Sequence, residues 1–234
     1  PPGSEGRWAL LPAIGARSDT EHRAALAELL LDRYGVVTRE AVHAELVPGG
    51  FAAVYEVFAA LEAAGRVRRG YFVAGLGAAQ FSRPGAAERL RALRSVPLGH
   101  GAVATGEPLL VKLAATDPAN PWGAALPWPG ADPRPQRAGG ALVWLHEGRL
   151  VGYLAKTERA LMTWLPDGEP RRSEVGRALG RALAGLADGA RRRAVLLTSI
   201  DGKACSESPL AEHLVAAGFT AGSRGFLRRA RPRE

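Results

Sequence analysis

The sequence predicts an α+β fold, and three observations support that class. The chain has 234 residues, 47% of them hydrophobic, so it is long enough for one large or two small domains with buried cores. Residues 1–95 contain segments whose apolar side chains recur at the three- and four-residue spacing of amphipathic helices. Residues 96–234 alternate short apolar strands with two helical segments. We therefore place a domain boundary near residue 95.

Three helices are predicted before residue 66. Ser18 caps the first, which ends at Gly35, a residue that tolerates a left-handed backbone. The second begins at Thr38, a favourable cap, and Pro-Gly-Gly at 48–50 stops it. The third ends at Gly65 and carries its apolar residues on one face. These are Phe51, Val54, Tyr55, Phe58 and Leu61.

A strand pair is predicted after the third helix, at residues 67–73 and 79–82, joined through the glycines of 75–77. Three helices followed by such a pair, the wing, indicate a winged helix. A basic helix over 84–94 follows. The residues expected to contact nucleic acid here are Arg66, Arg68, Arg69 and Arg89.

Charge favours a polyanionic partner. The chain has 31 basic and 23 acidic residues, a formal net charge of +8, which attracts nucleic acid without dictating a fold. The alternative is that arginine merely replaces lysine. The third helix exposes Ala52, Glu56 and Glu62 and no basic side chain, so base-specific reading by this helix is not expected. Phosphate contact by the wing is expected instead, with plain solvation of its arginines as the alternative.

Residues 96–234 are predicted to form a small antiparallel, β-barrel-like domain with two helices. Its best site candidate is the loop of 114–129, where Asp117, Asn120, Trp122 and Trp128 stand among several prolines. A rigid loop would present a carboxylate, an amide and two aromatic faces together, and Trp122 and Trp128 are expected to contact nucleic acid. The alternative is structural, because Asp-Pro and Asn-Pro are ordinary turn formers and loop tryptophans often cover the end of a core.

Cysteine and hydropathy patterns limit the class of protein. Cys205 is the only cysteine, so neither an internal disulfide nor a cysteine-based zinc cluster is expected. A cytoplasmic location is expected for the same reason. No apolar run of about 18 residues or signal peptide is present, so no membrane association is expected. The five histidines lack metal-ligand spacing. The chain begins with Pro1 rather than Met, which suggests a piece of a longer protein.

Two segments carry a resemblance to a known family. Residues 70–81, Gly-Tyr-Phe-Val-Ala-Gly-Leu-Gly-Ala-Ala-Gln-Phe, and residues 113–129, with Asp-Pro-Ala-Asn-Pro-Trp-Gly at their centre, resemble the C-terminal region of bacterial Lhr-type (large helicase-related) proteins. Residues 208–219 add to the resemblance, which covers nearly the whole chain. It implies an ATP-dependent 3′-to-5′ DNA helicase whose extension ends in a winged helix and a β-barrel module.

The resemblance implies three functions. The leading one is a nucleic-acid-binding accessory and assembly module of a DNA repair helicase. Its partners would be single-stranded DNA or a tailed duplex, an RNA–DNA hybrid as a further option, the rest of the helicase, and further copies of the chain. One alternative is uracil-type DNA glycosylase activity, because such extensions also resemble YcaQ-type DNA glycosylases. The other is a purely structural oligomerisation domain.

ATP chemistry is not expected within this chain. No Gly-x-x-x-x-Gly-Lys-Ser/Thr loop is present, so ATP and Mg²⁺ are expected only in the full-length helicase, where they would support its hydrolase activity. A glycosylase needs a pocket for a flipped base and a carboxylate or amide that positions water. By residue type and context, the candidates for that role are Asp117, Asn120 and Asp201.

Overall fold

The computed structural model describes residues 9–10, 15, 18–77, 79–95, 109–130, 134–188 and 194–230. The chain divides into two compact units, Pro1–Ala87 and Glu88–Glu234. Helices and strands alternate as the sequence predicts, so the α+β class is confirmed. No helix within the described ranges is long and apolar enough to cross a membrane.

The first unit is a winged helix, as predicted. It contains three helices and a three-stranded antiparallel sheet of order β1-β3-β2. Strand β1 was not expected, because a two-residue strand has no periodicity to detect. The elements are α1 (Asp19–Tyr34), β1 (Val36–Val37), α2 (Arg39–Ala44), α3 (Gly50–Ala63), β2 (Arg68–Gly70) and β3 (Gln80–Ser82).

Local caps fix where the helices of this unit begin. The Ser18 hydroxyl accepts a hydrogen bond from the Glu21 amide at 3.2 Å, and the Glu21 carboxylate accepts one from the Ser18 amide at 2.9 Å. Thr38 Oγ1 accepts from the Ala41 amide at 3.2 Å. The core beneath is aromatic, with the rings of Phe58 and Phe81 stacked at 5.1 Å.

The described residues of the second unit form two sheets and the two predicted helices. Helix α4 (Ala86–Ser95) lies across the division between the units. The remaining elements are β4 (Val111–Ala114), β5 (Leu142–His146), β6 (Arg149–Leu154), β7 (Ala160–Thr163), α5 (Arg171–Ala187), β8 (Ala194–Leu197), β9 (Ser199–Ile200), α6 (Ala211–Ala216), β10 (Thr220–Gly222) and β11 (Gly225–Arg229).

The described strands of this unit form open sheets rather than a closed barrel, which corrects that detail of the predicted architecture. One sheet has the order β4-β5-β6-β7-β9 and the other the order β10-β11-β8. Strand β9 pairs parallel with β7, so the larger sheet is mixed. The parallel pairing follows from the connection, because the chain passes through α5 and β8 before it returns to the edge of β7.

Each face of the larger sheet has its own apolar cluster. One face turns Trp144, Leu154 and Leu161 towards α5, α6 and the smaller sheet. The opposite face carries Val143 and Tyr153, among others, and is covered by the loop that connects β4 to β5. The candidate loop packs against this second cluster.

Candidate nucleic-acid interface

The wing is held by one buried glutamine. Gln80 is fully buried, and its side-chain oxygen accepts hydrogen bonds from the amides of Phe72 at 2.9 Å and Val73 at 2.8 Å. Its side-chain nitrogen donates to the carbonyls of Val73, Leu76 and Gly77. A side chain thus satisfies backbone groups that a regular hairpin would pair across its strands. The exposed wing surface beside β2 is therefore fixed in shape.

The three predicted wing arginines differ in their partners. Arg66 donates to Glu28 at 2.8 Å, and Arg69 lies 3.3 Å from a Glu62 oxygen and donates to the Tyr55 hydroxyl. Arg68 is exposed and has no acidic partner within the described part of the chain. Arg68 is therefore the wing arginine whose charge is available to another molecule.

An exposed aromatic residue follows this arginine three positions later in the sequence. Tyr71 directly follows β2 and is 80% exposed. Arg89, the other predicted basic contact, lies on α4 and is exposed. The α3 surface instead offers Glu56, which is exposed, and Glu62, so the expectation of no basic side chain on that helix agrees with its described surface. The α3 surface therefore lacks the basic side chains that reading of base edges requires.

Hydrogen bonds between polar groups of the loop 114–129 hold its conformation. The carboxylate of Asp117 accepts from the Ala119 amide at 2.8 Å. The side-chain nitrogen of Asn120, which is buried, donates to the carbonyls of Ala115 at 2.9 Å and Trp122 at 3.3 Å. Its side-chain oxygen accepts from the Trp122 amide at 3.1 Å. The amide of Asn120 is thus committed to the loop backbone.

Arg137 holds the same loop from outside it. Its guanidinium donates to the backbone carbonyls of Asn120 at 2.7 Å, Trp122 at 3.1 Å and Asp117 at 3.1 Å. Sequence reasoning missed this residue, because the contact joins positions 15 to 20 residues apart and no local pattern signals it. The structure therefore brings Asp117, Asn120 and Trp122 together around an arginine that acts on the backbone.

Both predicted loop tryptophans are half-buried and cover the outer face of the larger sheet. The Trp128 ring meets the Tyr153 ring edge-on at 5.6 Å. Gly123 allows this arrangement, because a Cβ at that position would overlap the Trp128 indole. The contacts of Trp128 are those expected of a tryptophan that covers the end of a core. Trp122 packs in the same way, but part of it also borders a cleft.

Asp201 lies at the other side of the sheet. Its two carboxylate oxygens accept from the Thr163 amide and the Thr163 hydroxyl, both at 2.7 Å. Strands β4 and β9, which precede Asp117 and Asp201, are the two edges of a five-stranded sheet, four strand spacings or about 19 Å apart. The structure does not bring these two carboxylates together, and their catalytic roles stay predictions.

A cleft of about 480 Å³ opens on the second unit. It lies between the β5–β6 turn, the end of β7, the start of α5 and the tryptophan loop. Its apolar wall includes Trp122, Pro129, Trp164 and Pro166, and its charged lining consists of His146, Glu147, Arg149, Asp167 and Arg171. The sequence-predicted residues Asp117, Asn120, Trp128 and Asp201 do not line it.

Neither a metal site nor a reactive thiol is present among the described residues. His, Cys, Asp and Glu side chains there do not gather into a group of three or more that could hold a metal ion. Cys205 is buried, and its Sγ donates to the Leu197 carbonyl at 3.3 Å. Burial raises the pKa of this thiol, so it is a weak nucleophile at neutral pH.

Comparisons with known proteins agree with this architecture. Residues 16–101 match the family model for the winged-helix domain of the large helicase-related protein. The chain is 42% identical over 235 residues to a Mycolicibacterium smegmatis protein named "Lhr helicase/ probable uracil glycosylase". It is 40% identical over 230 residues to an Escherichia coli protein named "Lhr helicase/uracil glycosylase". Each match covers 96% of this chain but only 15% and 14%, respectively, of the relative.

Proposed function

The chain belongs to the Lhr family of large helicase-related proteins, and from this premise we propose that it is a nucleic-acid-binding accessory module of an Lhr-type DNA helicase. The rest of that helicase is its proposed partner within the same polypeptide. ATP and Mg²⁺ belong to the proposed full-length enzyme, and its location is proposed to be cytoplasmic. DNA, as a single strand or a tailed duplex, is the proposed ligand, and an RNA–DNA hybrid is a further substrate to test.

One observation carries this proposal, namely the exposed Arg68 without an acidic partner in the described chain, on the same wing as the exposed Tyr71. An unpaired guanidinium on a rigid wing suits a phosphate, which it can bind through two parallel hydrogen bonds. The tyrosine ring suits stacking on a base or sugar. Pairing of β2 with β3 holds the backbone of Arg68, and the Gln80 bonds hold the backbone that follows Tyr71, so little conformational freedom would be lost on binding.

The paired arginines of the wing extend this surface. The ion pairs of Arg66 and Arg69 lie on the surface, with the arginine side chains 62% and 49% exposed. Exposed pairs of this kind contribute only about 0–1 kcal/mol, so a phosphate can compete for either guanidinium. The acidic α3 surface disfavours insertion of that helix into a groove. The proposed binding is therefore to the backbone and largely independent of sequence.

Charge reversal at Arg68 tests the proposal. Arg68→Glu is expected to weaken binding of a fluorescently labelled single-stranded oligonucleotide about tenfold, because it replaces one phosphate contact with a repulsion. Fluorescence anisotropy measures the affinity. Arg177→Glu is the matched control, since Arg177 is an exposed arginine of α5 and its reversal changes the net charge equally. Equal losses for both variants would contradict a specific role of the wing.

Self-assembly is the second part of the proposed role. Leu90 and Leu93 on α4 are 41% and 61% exposed, next to the exposed Arg89 and Arg91. Exposed apolar side chains on a short basic helix are suited to contact with another protein surface. We expect light scattering to show species larger than the monomer, and Leu93→Glu to reduce them. A monomer at all concentrations would contradict assembly by this chain alone.

Uracil excision is a second candidate function. The names of the two relatives, which match 96% of this chain, favour it. The reaction would break the bond between C1′ and the base, water would supply the oxygen that bonds to C1′, and uracil would leave with the bonding electrons and gain a proton. Asp117, Asn120 and Asp201 remain the candidates for positioning that water.

A uracil-containing oligonucleotide tests this candidate directly. Abasic product from the purified chain would support it, and its complete absence would exclude the activity from these residues. Asp201→Asn separates the roles of that residue, because asparagine tolerates the positive φ of 53° found there. Loss of product with an unchanged melting temperature would support catalysis. A lower melting temperature with retained product would instead support the Thr163 contacts as its role.

A further inference from the structure

The size and the lining of the cleft on the second unit are those of a ligand-binding site. We propose that it binds one unpaired nucleobase of a nucleic-acid strand. This proposal rests on the proposed function, because the strand is the same one that the wing is proposed to bind. None of the residues that the sequence singled out for catalysis lines this cleft. The proposal concerns binding, and it needs no chemical step.

The cleft has the size of a small-molecule site. Its volume of about 480 Å³ lies within the range of roughly 300 to 1,000 Å³ in which proteins enclose small ligands. Four segments of the second unit contribute to it, so its shape does not depend on the first unit. A base with its sugar is a ligand of matching size.

Two indole rings give the cleft its aromatic wall. Trp122 and Trp164 both line it, and both also pack against the apolar cluster on the outer face of the larger sheet. Each ring is half-buried and therefore already held before a ligand arrives. Bases of every type have a π-face that stacks on such rings, which favours an unpaired base over a paired one.

The charged lining suits the rest of a nucleotide. Arg149 is exposed and has no acidic partner among the described residues, so it can meet a phosphate. Arg171 pairs with Glu147, which leaves that cation oriented at the rim. Arg149 therefore favours a ligand that has an anionic group, and the indole walls disfavour a small inorganic anion.

His146 can contact the edge of the base. Its Nδ1 lies 3.3 Å from the Leu109 carbonyl, and because a carbonyl only accepts, Nδ1 is the donor of that bond. In the neutral ring Nε2 is then an acceptor. Asp167, which also lines the cleft, adds carboxylate acceptors. The exocyclic amino and ring N–H groups of bases are donors that suit these acceptors.

A comparison of two strands tests the proposal. One is a single-stranded oligonucleotide, and the other is an abasic strand of the same length with the same number of phosphates. Trp164→Leu is expected to weaken binding of the first about tenfold and to leave binding of the second unchanged, because only stacking is lost. Trp164→Phe should restore most of the affinity. Trp128→Leu is the matched control, a half-buried tryptophan of the same apolar cluster that does not line the cleft.

The outcomes separate this proposal from that for the wing. Arg68→Glu should weaken both strands equally, whereas Trp164→Leu should affect only the strand that has bases. If the wing variant has no effect while the difference at Trp164 remains, the cleft proposal survives the failure of the other. Equal losses for the Trp164 and Trp128 variants with unchanged melting temperatures would overturn it. Displacement of the strand from the wild-type protein by an equimolar mononucleotide would overturn it in favour of a free-nucleotide site.

Discussion

The side chain of Gln80 takes the place of a regular turn in the wing. Its amide group bonds to backbone groups of four residues between positions 72 and 77 while remaining completely buried. A hydrocarbon side chain of similar length would fill the space and leave these groups without partners. A buried backbone group without a partner costs about 1–3 kcal/mol. The conformation of the wing thus depends on one amide.

Gln80→Met is therefore expected to lower the free energy of unfolding of the winged-helix unit by about 3 kcal/mol. Urea denaturation measures this change, and faster hydrogen exchange at the Phe72 and Val73 amides would locate it. Gln136→Met is a matched control at an exposed glutamine whose side chain makes no bond within the described chain. We expect less than about 0.5 kcal/mol there. Similar losses for both variants would argue against the Gln80 bonds.

Single residues also show where sequence reasoning reaches its limit. Ser18 and Thr38 cap helices as predicted, because a cap acts within three residues and leaves a local pattern. Arg137 holds the tryptophan loop by contacts that span up to 20 residues, and the sequence contains no signal of that pairing. No sequence pattern singled out Trp164, since its position on the same cleft as Trp122 depends on the folded sheet. The roles of such residues are determined by tertiary contacts, which leave no local sequence pattern.

At the scale of elements, the pairing of β7 with β9 shows the same limit. Residues 195–200 form one mostly apolar segment, but the structure divides this segment between β8 and β9, which join different sheets. A run of apolar residues does not reveal which neighbour each half will pair with. The barrel expected from the sequence therefore becomes two open sheets. Helices α1 and α3 were predicted closely, because they have enough turns to show the helical period.

Close packing of α5 against α6 depends on glycine. A Cβ at Gly180 would lie 2.8 Å from the His213 backbone oxygen, which cannot move aside as a flexible side chain would. Gly180→Ala should therefore lower the free energy of unfolding by about 1–3 kcal/mol. Gly185→Ala on the same helix meets no atom within 4 Å and should raise it by about 0.5–1 kcal/mol through helix propensity. Opposite signs in thermal or urea unfolding confirm the prediction, whereas equal signs contradict it.

The contact between α1 and α2 predicts a dependence on pH. Glu45 accepts hydrogen bonds from the Tyr34 hydroxyl and the Arg33 guanidinium, both at 2.6 Å. The tyrosine bond first and the arginine bond second hold the pKa of Glu45 below its ordinary value. A lowered folded-state pKa means that the stabilisation is fully present above the pKa of the unfolded chain, about 4.3, and is lost as pH falls through the lower folded value.

Urea unfolding at a series of pH values tests this dependence. The stability advantage of the wild type over Glu45→Gln should be constant above about pH 5 and shrink towards pH 3. Glu56→Gln is the control, because Glu56 lies exposed on α3. A constant difference between the wild type and Glu45→Gln over the whole range would contradict the assigned role of the bonds.

At the scale of the whole molecule, net charge and local charge predict different things. The formal net charge of +8 attracts any polyanion, so it does not identify a binding surface. The wing and the cleft are the proposed surfaces, because each has an exposed or half-buried aromatic ring and an arginine without an acidic partner in the described ranges. Composition favours a polyanionic ligand, whereas ion-pair geometry distinguishes Arg68 from Arg66 and Arg69 as the wing arginine proposed to contact it.

Salt dependence separates these two contributions. Logarithmic affinity for a single strand should fall linearly with logarithmic salt concentration, with a slope of about 0.7 for each phosphate contact. Arg68→Ala should make that slope shallower by about this amount, because one contact is lost, while Arg177→Ala should leave it unchanged. Two unrelated oligonucleotides of equal length should bind with similar affinity, since α3 offers no basic side chain to base edges. A slope that Arg68→Ala leaves unchanged, or a strong sequence preference, would show that the contacts lie elsewhere.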